Sequence, residues 1–124
     1  MSLDWGNTIR EFQRTVKSST KDTTKEIKQA VLKTGRDVFR MAKQFTPVRK
    51  GRLRRSWRLR NRQKNTSAEV DITNDTPYAP AVEYGSSRRA PANMLKRATL
   101  RGNSLLKKRL DAIHRKLSKK FNQG

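Results

Sequence analysis

Cysteine is absent from the 124 residues, which excludes disulfides, thiolate metal sites and a cysteine nucleophile. Acids are scarce: 10 Asp and Glu stand against 31 Lys and Arg, for a formal net charge of +21. Hydrophobic residues make up only 32% of the chain. An isolated copy therefore buries a modest core while its charges repel one another. Oligomerisation or a bound polyanion would relieve both problems. No apolar run approaches the ~20 residues that span a bilayer. The start, Met1-Ser2-Leu3-Asp4-Trp5, carries no secretory core. The expectation is a single domain made and used in the cytosol, with no membrane partner.

The few acids are also unevenly placed. None lies between Asp37 and Glu69, where eleven Lys or Arg occur. Low hydrophobicity with high charge is the signature of disorder, but here the apolar residues are periodic. Trp5, Ile9, Phe12 and Val16 form one helical stripe behind a capping Asp4. Ser18-Ser19-Thr20 interrupts it. A longer helix is predicted from Asp22 to Phe45, with Ile27, Val31, Val38, Ala42 and Phe45 on its apolar face. Gly35 lowers its helix propensity and leaves room for a close neighbour. Pro47 ends it, because the residue before proline is pushed away from helical dihedrals.

Beyond Gly51 the period becomes two. Leu53, Arg55, Trp57 and Leu59 share one face of a predicted strand, and Arg52, Arg54, Ser56, Arg58 and Arg60 the other. Ala68, Val70 and Ile72 alternate with Glu69 and Asp71, which predicts an antiparallel partner whose acids face some of those arginines. Ala81 to Tyr84 reads as a third short strand, and Ser86 to Pro91 as a mobile basic loop. Two helices close the chain: a short one at 93–100 and an amphipathic one after Gly102, marked by Leu106, Leu110, Ile113, Leu117 and Phe121. The fold class is α+β: N-terminal helices (1–45), a small antiparallel sheet with a basic strand (46–85), a loop (86–92) and C-terminal helices (93–121).

Lys and Arg neutralise phosphates and release condensed counterions, so a row of them points to nucleic acid bound without regard to sequence. The candidates are Arg49, Lys50, Arg52, Arg54, Arg55, Arg58, Arg60 and Arg62. A solvated face or contacts with acidic neighbours in an assembly would explain the same row. Trp57 shares a face with Leu53 and Leu59 and reads as core rather than as a base-stacking platform. His114, the single histidine, stands among basic residues, where neither a metal nor a charged imidazolium is favoured. The acids form no close pair for two-metal chemistry, and Gly51 and Gly85 stand too far apart for a phosphate loop. No enzyme, metal or cofactor is expected.

Three segments resemble a family. Thr46-Pro47-Val48-Arg49-Lys50-Gly51-Arg52-Leu53-Arg54-Arg55-Ser56 is similar to the "PVxTGxLRxS" stretch of the small tail-completion and head–tail joining proteins of long-tailed bacteriophages. Tyr78-Ala79-Pro80-Ala81-Val82-Glu83-Tyr84-Gly85-Ser86 resembles that family's "YAxxVExGT", and Pro91-Ala92-Asn93-Met94-Leu95-Lys96-Arg97-Ala98 its "PxxFLRPA". Order and separation also match, over about residues 38–100. Lys50 replaces the usual Thr, and Arg97 the usual Pro.

The resemblance implies a structural protein of the virion neck, assembled in the bacterial host cytoplasm. It implies a ring, commonly of six copies, at the head-proximal end of the tail, with tail-tube and head-neck proteins as partners and double-stranded DNA in the channel. In that scheme Tyr78, Glu83, Tyr84, Arg88 and Arg89 serve assembly, Glu83 meeting a neighbour's arginines. Pro47, Gly51, Trp57 and Gly85 serve the fold, the glycines permitting sharp chain turns. Two other functions compete: general sequence-nonspecific nucleic-acid binding, and docking of the basic helix at 103–121 on an acidic membrane. The membrane reading leaves the central segments unexplained.

Overall fold

A computed structural model describes residues 21–47, 49, 51–64 and 68–122, with side chains from 24 to 119 within those spans. The stripe at Trp5, Ile9, Phe12 and Val16, together with Lys50 and Phe121, lies outside what it describes. Among the described residues six elements follow one another: α1 (Lys21–Phe45), α2 (Gly51–Arg55), β1 (Trp57–Gln63), β2 (Ala68–Asn74), α3 (Ala79–Tyr84) and α4 (Met94–Asn122). The class is α+β, with a two-stranded antiparallel sheet.

The long helix α1 packs on both α4 and the hairpin. Its stripe of Ile27, Val31, Val38 and Ala42 is buried, and Thr34 lies within it fully enclosed. The Thr34 hydroxyl donates to Ala30 O (2.7 Å) and accepts from Arg109 Nη1 (2.6 Å), while Arg109 Nη2 meets Asp37 at 2.7 Å. Lys116 reaches Glu26 at 3.3 Å. These partners run in opposite directions along the two helices, so α4 is antiparallel to α1. Leu106, Leu110 and Ile113 of α4 complete the interface.

The hairpin lays its apolar face against α1. Trp57, Ala68, Val70 and Ile72 are buried. At Gly35 the two surfaces come close: a Cβ there would stand 2.6 Å from Val70 Cγ1, far inside van der Waals contact. The register pairs Leu59 with Ile72 on the inner face, and Arg60 with Asp71 and Arg62 with Glu69 on the outer. The acids of β2 thus lie opposite arginines, as their alternation requires.

Four segments differ from the sequence-based expectation. Residues 51–55 are helical, not extended. Leucine and arginine favour helix and none of the five is β-branched. One turn also buries Leu53 while exposing Arg52, Arg54 and Arg55, and the Ser56 amide bonds to Arg52 O close it. Residues 79–84 form a short helix instead of a third strand. Pro80 suits a first helical turn, and Ala79, Val82 and Glu83 share its buried side.

The segment expected as a mobile loop is a tight turn, with Ser86 and Arg89 exchanging backbone bonds at 3.0 and 3.3 Å. Ala92 N donates to Val82 O at 2.8 Å and holds the turn's exit to α3. Finally, α4 runs unbroken through Gly102, which is buried. Packing of the residues on either side outweighs the roughly 1 kcal/mol that an interior glycine costs.

Candidate nucleic-acid and assembly surfaces

The arginine row divides into two groups because its first half is helical. Arg52, Arg54 and Arg55 project from α2, with Arg49 just before it, and all four are exposed. Arg58, Arg60 and Arg62 stand on the outer face of β1, also exposed. Arg58 links the groups: its Nη1 donates to Arg55 O at 2.9 Å. The groups differ in their neighbours. Across the hairpin Asp71 faces Arg60 and Glu69 faces Arg62. Among the described residues no carboxylate forms an ion pair with any of these seven arginines, Glu69 pairing instead with Lys64 at 3.8 Å. The groups thus differ only in the acids that face β1 across the hairpin. The Arg52 guanidinium lies over the Tyr78 ring, 6.0 Å from its centroid.

What holds α2 in place is a pair of polar ties. The Trp57 indole, 1% exposed, donates to Thr46 Oγ1 at 2.9 Å. Asn74 Nδ2 donates to Leu53 O at 2.8 Å, and Asn74 Oδ1 accepts from Thr76 N at 3.0 Å. Both ties are buried, so α2 is presented from a fixed base. Trp57 is thereby core, as its alternation with Leu53 and Leu59 implies. Pro47 lies two residues past the end of α1, and Gly51 opens α2, where an added Cβ would meet Arg55 Nη1 at 3.2 Å.

The expected assembly residues separate by exposure. Tyr84 is 70% exposed, and Arg88 and Arg89 are exposed on the turn beside it. Glu83 points inward, at 3% exposure, and its two carboxylate oxygens accept the backbone N–H groups of Leu95 and Lys96, each at 3.0 Å. It caps the first turn of α4, where the helix dipole and unpaired N–H groups favour a negative charge. The carboxylate expected to reach a neighbour is committed within the chain. Gly85 ends α3 at φ 83, and a Cβ there would sit 2.9 Å from Pro91 N, so this position is closed to side chains.

One basic cluster is invisible in the sequence pattern. Phe45, at the last position of α1, carries the guanidinium groups of Arg97 (4.0 Å) and Arg101 (5.1 Å) against its ring. Both arginines are exposed. Aromatic stacking of this kind leaves the N–H edges available to an anion. The spacing of Arg97 and Arg101 by one helical turn was the available signal, but their partner lies more than fifty residues away. Among the described residues, no group of three or more His, Asp or Glu could hold a metal, and no helix is long and apolar enough to cross a membrane.

Comparison with known proteins bears on these surfaces. Residues 10–85 match the model of the HK97-gp10-like family, described as "Bacteriophage HK97-gp10, putative tail-component". The match spans more than half of the chain, which belongs to that family. Neither the curated proteins nor the solved structures contain a significant match.

Proposed function

We propose that this member of a phage tail-component family completes the head-proximal end of the tail and joins it to the head. In this reading it acts by assembly and not catalysis. Copies of the chain form a ring, six being the number the family resemblance suggests, between tail-tube and head-neck proteins, and double-stranded DNA passes through the ring. The observation that carries the proposal is the group of arginines where α1 ends, none of which forms an ion pair with a carboxylate among the described residues. Arg49, Arg52, Arg54 and Arg55 follow directly from that end, and Arg97 and Arg101 stack on its last residue, Phe45. Acids offset the charge elsewhere, at Asp37–Arg109 and Glu26–Lys116.

Such an array suits a phosphate backbone read by charge alone. Tyr84, Arg88 and Arg89 supply a separate exposed patch for a neighbouring copy or tail protein, aromatic and arginine residues being enriched at interfaces. The test is genetic. A phage or prophage lacking this chain should yield filled heads and finished tails that remain apart, and supplying the protein should join them. Normally joined, infectious particles from the deletion would refute the role.

General nucleic-acid binding by a free monomer is the alternative, supported by the net charge of +21. It calls for salt-dependent association with bulk nucleic acid and no place in the particle.

A further inference from the structure

A groove of ≈ 400 Å3 lies between α1 and α4, away from the arginine surfaces. Its α1 wall is Glu26, Gln29, Ala30 and Lys33; Arg109, Ala112, Ile113 and Lys116 line it from α4, Lys116 reaching Glu26 at 3.3 Å. With an alanine on each helix, Ala30 and Ala112, the lining leaves a depression that no described side chain fills. We propose that the segment preceding α1, residues 4–17 of the same chain, docks in this groove as a helix antiparallel to α1.

Length and connection argue for it first. Only Ser18, Ser19 and Thr20 separate the segment from Lys21, and three residues fall within the 2–5 that join antiparallel helices. Folding back about residue 19 then sets the register. Phe12 comes level with Glu26, Ile9 with Gln29 and Trp5 with Lys33. That is the span of the α1 wall: a separation of seven positions on each helix, roughly 10 Å at 1.5 Å per residue.

Shape and charge agree with the register. At about 100° per residue, Trp5, Ile9, Phe12 and Val16 fall within an arc of about 60°. Arg10, Glu11, Arg14 and Lys17 all fall on the opposite half. The segment therefore buries a purely apolar face and leaves its charges in water. The groove offers Ala30, Ala112 and Ile113 to the apolar face, and its other lining side chains, Glu26, Gln29, Lys33, Arg109 and Lys116, are polar or charged. Phe12 and Val16 also lie inside the stretch that matches the family model, so the segment is continuous with the matched unit. Docking adds apolar burial to a chain whose hydrophobic content is low.

The absence of native cysteine makes the test clean. In the full-length chain, Ile9→Cys combined with Gln29→Cys should oxidise to a cross-link within one chain, seen as a faster-migrating monomer on a non-reducing gel. Ile9→Cys with Ser104→Cys, on another side of α4, should not. Failure of the first pair, equal reaction of both pairs, or bridges formed only between two chains would each overturn the proposal. A second variant needs no oxidation. Ala112 is exposed among the described residues, so Ala112→Asp should be nearly silent if the groove is empty. With the segment in place it should lower the melting temperature by about 5 °C, and Phe12→Ser should then add little further. An unchanged melting temperature in Ala112→Asp would count against docking.

Discussion

The indole N–H of Trp57 donates to the hydroxyl of Thr46, and that hydroxyl donates in turn to Ala42 O at 2.7 Å. The two residues bound the segment that carries α2, so its ends are fastened to each other and to α1. Removing the link has separable consequences. Trp57→Ala empties a large buried site and should cost about 3–5 kcal/mol. Thr46→Val keeps the volume but strands a buried N–H, for about 1–3 kcal/mol. Urea unfolding with a constant m-value measures both. A base-stacking Trp57 would leave stability nearly unchanged on truncation.

Gly35 and Val70 make a second stability test. Alanine is a better helix former than glycine by about 1 kcal/mol, so on propensity alone Gly35→Ala should stabilise the protein. The Val70 methyls stand in the way, and the hairpin must shift. A net loss of about 1–3 kcal/mol is expected. Val70→Ala in the same chain should recover part of it, giving a coupling of at least about 0.5 kcal/mol in a double-mutant cycle.

The carboxylate of Glu83 distinguishes internal capping from a role between subunits. Its loss in Glu83→Ala leaves the Leu95 and Lys96 amides without their acceptor and should cost about 1–3 kcal/mol in the isolated protein. Glu83→Gln, which keeps one acceptor oxygen, should cost less. Thermal melts of dilute protein check this. A residue used only at an interface would leave those melts unchanged and lower particle yield instead.

The two arginine groups should differ in DNA binding. Each phosphate contact contributes about 0.9 to the slope of log K against log salt on duplex DNA. Replacing Arg52, Arg54 and Arg55 by Gln should flatten that slope by up to about 2.7. Replacing Arg60 and Arg62, which face Asp71 and Glu69, should change it less per residue. Fluorescence titrations across a salt series give both slopes, and equal changes per residue would contradict the division.

Much of the architecture was legible because apolar period reports the buried face. The stripe from Ile27 to Phe45 gave α1 nearly to the residue, and the alternation of Val70 and Ile72 with Glu69 and Asp71 gave β2 and its pairing. The failures have a common physical cause. Over four or five residues, a period of two and a helical turn can both place Leu53 and Trp57 on the buried side, so the segment at 51–55 was ambiguous. Pro80 was the local sign that 79–84 opens as a helix. Gly102 misled because packing along α4 outweighs one residue's propensity. The site contacts were harder still. Glu83 on the start of α4, and Arg97 with Arg101 on Phe45, depend on how distant elements pack, which no local pattern carries.

The central claim is a place in the virion, and imaging tests it most directly. A tagged copy of the protein, labelled on intact particles and viewed in the electron microscope, should appear at the head-proximal end of the tail and nowhere else. Particles without label, with the protein recovered on bulk nucleic acid in the lysate, would contradict the assembly role and leave general nucleic-acid binding in its place.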